Sequence, residues 1–244
     1  MRKILVIGES CKDVFHYGTC ERLCPEAPVP VFKSCNLIEN GGMAMNVYNN
    51  VVSMNCPVDL NTNNNWNTIR KTRFVDIRTN HMFMRLDEND DSYLSFNRQS
   101  VDLNNYDAVI VSDYNKGFLT EDDLHYISVS HPLTFLDTKK LLGAWSENFG
   151  FIKINKTEFE RTKSTISNKI KNSLIVTQGP DGCVYKGTTY KVPPVEVKDT
   201  SGAGDTFISA LCVKFCETGN IQESIKFANE CATRVVQKKG VATP

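Results

Sequence analysis

Short apolar runs recur along the chain and alternate with segments whose apolar residues fall at helical spacing. This is the sequence signature of an α/β fold built on a mostly parallel sheet. Lys3–Ile7 reads as a buried first strand, and Ala108–Ser112, Leu133–Asp137, Gly150–Ile154 and Ser173–Thr177 as further short core strands, with helical segments between most of them. Met43–Met54 has helical spacing and is followed by a short strand near Pro57–Leu60. Gly204–Glu217 and Ile221–Lys238 are the last two helices, and Cys183–Val192 suggests a hairpin. Val29–Leu37 looks extended, and the prolines in Pro28-Val-Pro30 suit an edge strand or a flap. Thr72–Ile77, Met82–Leu86 and Tyr93–Phe96 mix polar and apolar positions, as strands of a small sheet outside the main one would. Asn61–Thr68 is dominated by asparagine and reads as a loop. The expected architecture is a doubly wound sheet with helices on both faces and a small β lid, residues 1–244 forming one domain whose lid strands come from about 14–40 and 69–97.

Composition narrows the function classes. The 244 residues carry 28 Lys+Arg and 28 Asp+Glu, so neither a global basic excess nor a polybasic block points to nucleic acid or a membrane surface. The apolar runs are strand-length, short of the roughly 20 residues a membrane helix needs. The nine cysteines are odd in number and contain no Cys-x-x-Cys pair, so free thiols in a reducing cytoplasm are expected. Met1 leads directly into Ile4–Ile7 without a signal-peptide region, which also favours a cytoplasmic protein.

The segment richest in chemistry is Asp199-Thr-Ser-Gly-Ala-Gly-Asp205, running into an apolar helix. At such a junction the N–H groups of Gly202, Ala203 and Gly204 are free to bind an anion, helped by the helix dipole. Asp205 then sits in the first turn beside that anion, placed to deprotonate an attacking hydroxyl. Helix capping alone is the competing reading of Asp205. No Gly-x4-Gly-Lys-Ser/Thr loop occurs, and Gly8 lacks a Gly-x-Gly-x-x-Gly context.

Asp199-Thr-Ser-Gly-Ala-Gly-Asp-Thr-Phe207 resembles the C-terminal signature of PfkB (ribokinase-like) sugar kinases, and the likeness runs along nearly the whole chain. Leu5–Phe15 looks like that family's first strand with its sugar-binding aspartate, here Asp13. Pro25-Glu-Ala-Pro-Val-Pro-Val31 resembles one branch in particular, the D-glycero-heptose 7-phosphate kinases. Ile69–Phe74, Met84–Asp87, Val111–Gly117 and Leu136–Lys139 are similar to the same branch. The resemblance implies ATP and Mg²⁺, with Asp205 as base and Gly202, Ala203 and Gly204 as the anion hole. It places Gly41, Gly42 and Asn46 on the sugar side. Thr177, Gly179, Gly182 and Asn229 fall on the nucleotide side, and a monovalent cation at Asp199 and Thr200. Asn155 and Glu158 match the family's Asn-x-x-Glu pair near Mg²⁺, acting through water, although the same spacing is a good helix N-terminus. A phosphorylated acceptor needs cations, and Arg22, Lys71, Arg73, Arg85, Lys116 and Lys139 are the candidates, of which two or three are expected to serve.

Two departures stand out. Met43 occupies the position of the second glycine in the family's sugar-side pair, and the Asn61–Thr68 loop replaces a strand–helix unit. Three readings therefore stay open: a heptose 7-phosphate kinase, a kinase for another sugar, sugar phosphate or nucleoside, and a catalytically silent binder. Some relatives carry a nucleotidyltransferase domain after the kinase, and none is expected within these residues. Edge-like lid strands imply a homodimer paired through the lid.

Overall fold

The computed structural model describes residues 2–244. Alternation within each central strand decides its two faces. In β1 (Ile4–Gly8), Ile4 and Val6 enter one core while Leu5 and Ile7 enter the other. Eight strands form the main sheet: β1, β4 (Val58–Asn61), β7 (Ala108–Asp113), β8 (Thr134–Thr138), β9 (Phe151–Asn155), β10 (Leu174–Thr177), β11 (Cys183–Tyr185) and β12 (Thr188–Tyr190). Their order is β12-β11-β10-β9-β8-β7-β1-β4, parallel from β4 through β10 and antiparallel at β11 and β12. Lys186 and Gly187, both with positive φ, make the tight turn of the β11–β12 hairpin.

Helices α1 (Gly42–Ser53), α5 (Ala203–Thr218) and α6 (Ile221–Val235) cover one face, where Val47, Val51, Phe207, Leu211, Ile225 and Ala228 meet the strands. Helices α2 (Glu121–Ser130), α3 (Lys156–Thr162) and α4 (Asn168–Ser173) cover the other, anchored by Leu124, Ile127 and Ile170. The expected doubly wound sheet is present. β1 has β4 on one side and β7 on the other, so the strand order reverses at its carboxyl end and opens the crevice that α/β folds use for ligands.

The second sheet has the order β3-β2-β5-β6, from β2 (Lys12–Leu23), β3 (Pro30–Asn40), β5 (Arg70–Asp76) and β6 (Met82–Glu88). β2 pairs parallel with β5 and antiparallel with β3. Two expectations need correction. Tyr93–Phe96 is not a strand: the Leu94 N–H donates to Asn65 Oδ1 and the Phe96 N–H to the Phe118 carbonyl, so its backbone is satisfied outside any ladder. The last helix ends at Val235, three residues before Lys238.

β4 is the edge of the main sheet, and beyond Asn61 the chain crosses directly to β5 through one 3₁₀ turn, Trp66–Thr68. All nine cysteines are free thiols. Among the described residues no helix is long and apolar enough to cross a membrane.

Candidate active site

Helix α5 begins at Ala203 behind Gly202, whose φ of 78° lies in the left-handed region that glycine adopts without strain. No side chain caps this terminus, which carries the positive end of the helix dipole. The expected trio of free donors needs correction, because the Ala203 N–H donates to the Thr200 carbonyl at 3.3 Å, which leaves Gly202 and Gly204. Side chains at these glycines would collide with the site itself. A Cβ on Gly202 would stand 2.8 Å from Asn46 Nδ2, and one on Gly204 would stand 2.6 Å from Lys153 Nζ.

Asp205 is buried in the first turn of α5. Its Oδ2 accepts a hydrogen bond from Asn46 Nδ2 at 2.7 Å and its Oδ1 accepts one from the Tyr114 hydroxyl at 3.1 Å. Burial pushes its carboxyl up to about 6, with the Asn46 hydrogen bond opposing that rise and nearby Asp137 adding to it. A polar seam fixes this geometry between α1 and α5. Thr206 Oγ1 donates to Asn50 Oδ1 at 2.8 Å, and Asn50 Nδ2 donates to the Asn46 carbonyl at 2.8 Å.

Below the Gly202–Gly204 turn lies a buried ion pair that the sequence reading did not single out. Lys153 Nζ donates to Asp137 Oδ2 at 2.7 Å, and both side chains are almost wholly enclosed. Burial would raise the Asp137 carboxyl, but Lys153 and Lys139 more than reverse this and hold it below the usual carboxylate range. Its second oxygen, Oδ1, is buried and accepts no hydrogen bond. Lys139 in turn pairs with Glu158 Oε1. Asn155 and Glu158 form a full capping box at α3: Asn155 Oδ1 accepts from the Glu158 N–H at 2.9 Å, and Glu158 Oε2 accepts from the Asn155 N–H at 2.7 Å. Asp199 spends its carboxylate on the N–H groups of Ser201 and Gly240, and the Thr200 carbonyl accepts from Ala203.

Thr177, Gly179, Gly182 and Asn229, the residues expected on the nucleotide side, line one cavity of about 330 Å³ together with Ala203 and Gly204. Its remaining wall is mostly apolar, including Phe207 and Val236, with Thr200 and Thr233 as the polar members. A Cβ on Gly182 would meet the Tyr190 carbonyl oxygen at 2.0 Å, so this turn requires glycine. A more open groove of about 800 Å³ lies between β12 and α6 on the far side of Asn229, and contains neither Asp205 nor the α5 terminus.

On the lid side, Asp13 is buried and ion-paired with Arg73. Gly42 has a φ of 52°, and a Cβ there would meet Asp13 Cβ at 3.2 Å. Met43 keeps a glycine-like backbone, with φ 46° and ψ −125°, at a strain of about 1–3 kcal/mol. Its sulfur sits 3.7 Å from Lys71 Nζ and 3.9 Å from the Tyr93 hydroxyl. Gly41 is the N-cap of α1 and packs on Met45. Of the six candidate cations, five already hold a carboxylate: Lys71 and Lys116 share Asp90, Arg73 holds Asp13, Arg85 holds Asp87 and Lys139 holds Glu158. Arg22 is exposed near the far end of β2, nine residues from Asp13 and so roughly 30 Å along the strand. The structure does not bring it to the others within one chain.

Tyr114 also escaped the sequence reading as a site residue, although Val111–Gly117 was recognised as a matching segment. It is held by buried Glu9, whose Oε2 accepts from the Tyr114 N–H at 2.8 Å and whose Oε1 accepts from the Lys116 N–H at 3.0 Å.

Comparison with known proteins identifies the family and the fold. The sequence model of the pfkB family carbohydrate kinases matches residues 78–244. The bifunctional protein HldE of Helicobacter pylori (strain J99) is 30% identical over 297 aligned positions, covering 99% of this chain and 64% of that protein. HldE of Nitratiruptor sp. is also 30% identical, over 293 positions, with 99% and 63% covered. The chain thus spans less than two thirds of the length of these relatives. Among solved structures, Arabidopsis thaliana ribokinase, complexed with ribose and ATP, superposes with a TM-score of 0.73 at 17% identity, covering 98% of this chain and 94% of that one. The Methanocaldococcus jannaschii nucleoside kinase gives 0.71 at 16%, covering 99% and 93%. These structural matches establish the ribokinase-like fold. The chain belongs to the PfkB family of carbohydrate kinases, phosphotransferases that act on an alcohol group.

Proposed function

We propose that the protein transfers the γ-phosphoryl group of ATP to a hydroxyl of a sugar phosphate, the anomeric hydroxyl of D-glycero-D-manno-heptose 7-phosphate being the favoured acceptor. The observation that carries this reading is the buried Asp205, held by Asn46 and Tyr114 at an uncapped helix terminus that borders a cavity of about 330 Å³. The heptose assignment draws its support from the HldE relatives and from the lysines and arginines around Asp13.

In this account Asp205 takes the proton of the acceptor hydroxyl as its oxygen bonds to the γ-phosphorus and the bond to ADP breaks. The N–H groups of Gly202 and Gly204 stabilise charge on the moving group, where one well-placed donor is worth roughly 3 kcal/mol, and the Ala203 N–H joins them only by leaving the Thr200 carbonyl. Asn46 and Tyr114 keep the Asp205 carboxylate aimed. Thr177, Gly179, Gly182 and Asn229 seat the nucleotide, and Asp13, Gly41, Gly42 and Asn46 the sugar.

No three His, Cys, Asp or Glu side chains converge on a metal position among the described residues. Mg²⁺ needs no such cluster, because it keeps most of its waters and rides on phosphates with one or two carboxylates nearby. Glu158 and Asn155 would hold it through water, with Lys139 and the capping contacts sharing their oxygens, and the ion would neutralise phosphate charge.

The raised Asp205 carboxyl sets a pH dependence. The base is active when ionised, so kcat/KM is expected to rise with pH through a midpoint of about 6 and to fall roughly tenfold per unit below it. A flat profile between pH 5 and 7.5 would remove Asp205 as the titrating group. Phosphorus NMR of the product tests the acceptor position. A new anomeric phosphate on heptose 7-phosphate is expected, and phosphorylation at another hydroxyl would overturn the assignment.

A lid-to-lid homodimer belongs to the same proposal. Leu37, Ile38, Met82, Met84 and Leu86 expose apolar surface on β3 and β6, which are the two edges of the small sheet. Light scattering at micromolar concentration is expected to give twice the chain mass, and a mass of 27.5 kDa would exclude the dimer.

A further inference from the structure

Three donors converge on one carboxylate at the lid. Lys71 Nζ lies 2.8 Å from Asp90 Oδ1, the Tyr93 hydroxyl donates to the same oxygen at 2.9 Å, and Lys116 Nζ donates to Oδ2 at 2.5 Å. Lys71 is only 5% exposed, so its charge is held inside the protein by this contact. Two ammonium groups and a phenol arranged around a single anion are the chemistry that binds a phosphate monoester.

The loop that delivers Asp90 is pinned from below by asparagines. Asn89 takes a left-handed φ of 57° and its Nδ2 donates to the Thr68 carbonyl at 2.9 Å. Asn65 Nδ2 donates to the Ser92 carbonyl at 2.6 Å, and Asn65 Oδ1 accepts from the Leu94 N–H at 3.3 Å. Asn63 braces Asn65 in turn: its Nδ2 donates to Asn65 Oδ1 at 3.2 Å and its Oδ1 accepts from the N–H of Ser10, next to the strand that carries Asp13. The asparagine-rich segment between β4 and β5 therefore works as a latch, setting the Asp90 carboxylate against both lysines.

We propose, building on the sugar-phosphate reading above, that Asp90 is a built-in occupant of the acceptor-phosphate cradle of Lys71, Lys116 and Tyr93, and that the incoming phosphate must displace it. A phosphate dianion within reach of both ammonium groups would stand against the Asp90 carboxylate at close range, where like charges repel strongly. The lysines and Tyr93 hold that carboxyl below its ordinary range despite its partial burial, so protonation does not relieve the conflict near neutral pH. Displacement raises the affinity an acceptor must bring. Acceptors with a phosphate that satisfies both lysines can supply it, and neutral sugars cannot.

Calorimetric titration with inorganic phosphate tests this on wild type, Asp90→Asn and the double variant Asp90→Asn/Lys71→Met, with folding checked by circular dichroism. Asp90→Asn is expected to bind phosphate at least tenfold more tightly than wild type, and the double variant to lose that gain. Asn65→Ala, which loosens the latch and leaves the cradle intact, is expected to move in the same direction by a smaller factor, and it carries the test if Asp90→Asn does not fold. Equal or weaker phosphate binding by the folded variants would overturn the proposal and make Asp90 a residue that merely positions the lysines. The KM for a sugar phosphate is expected to fall in parallel in Asp90→Asn. Tighter phosphate binding without turnover of any sugar phosphate would remove the kinase assignment and leave the cradle. Turnover with phosphate affinity unchanged by Asp90→Asn would do the reverse.

Discussion

Asp205→Asn is expected to lower kcat by about a thousandfold or more while making the folded protein more stable. The loss follows from removing the group that takes the hydroxyl proton, with the anion hole and both ligand regions left in place, so that KM for ATP changes little. The gain follows from burial. Asp205 has a folded carboxyl raised to about 6 from an ordinary value of 3.8. Its contribution to stability is therefore fully present below pH 4 and is lost as pH rises through 6. Ionised Asp205 at pH 7.5 costs the fold on the order of 2–3 kcal/mol. Asparagine has nearly the same shape and no charge; its amide oxygen can accept from Asn46 and its NH₂ can donate to the Tyr114 oxygen. At roughly 2–4 °C per kcal/mol for a chain of this size, melting should rise by several degrees at pH 7.5 and by little at pH 4. A variant that is inactive and also less stable at pH 7.5 would place Asp205 in the structure rather than in the chemistry.

Lys153→Met is expected to have the largest effect on stability. It leaves Asp137 as an enclosed carboxylate whose other cation, Lys139, stands 4.0 Å from Oδ1. Breaking a buried pair from one side costs about 3–5 kcal/mol. Replacing both partners, as in Asp137→Leu/Lys153→Met, removes the stranded charge and should recover most of that loss. Urea unfolding at pH 8 and pH 5 separates the cases. The single variant should close part of its deficit at pH 5, because an unpaired Asp137 can then protonate, whereas the double variant should show no such gain. A Lys153→Met protein as stable as wild type at pH 8 would mean that the pair is solvated and not a structural element of the site.

Much of the fold was legible because the central strands are bounded apolar runs. Lys3–Ile7, Ala108–Ser112 and Ser173–Thr177 are all close to the strands observed, and buried faces tolerate little else. The lid was harder. β2 has no clean alternation, because Val14 and Phe15 are both buried, while Asp13 and Tyr17 turn polar groups to the inner side. Tyr93–Phe96 has the composition of a strand and is used as a loop, with Tyr93 bonded to Asp90 and Phe96 packed on Phe118.

The candidate site divides along a similar line. The turn at Gly202–Asp205 is a contiguous motif and could be read directly. Lys153 and Asp137 lie on neighbouring strands, so nothing in their separate segments announced a buried pair. The Asn155 and Glu158 spacing supported both of its readings, and the cap is formed. The substituted glycine at Met43 was visible, but its consequence was not, because a methionine in a glycine-like conformation can be recognised only from backbone angles.

The central claim is that this site phosphorylates a sugar phosphate with Asp205 as base, and acceptor-dependent ADP release from Mg·ATP tests it most directly. A panel of sugars, sugar phosphates and nucleosides is presented to wild type and to Asp205→Asn. The account predicts turnover with heptose 7-phosphate, little with neutral sugars or nucleosides, and none above background in the variant. Nucleotide binding without release of ADP for any acceptor, or equal turnover in both proteins, would contradict it.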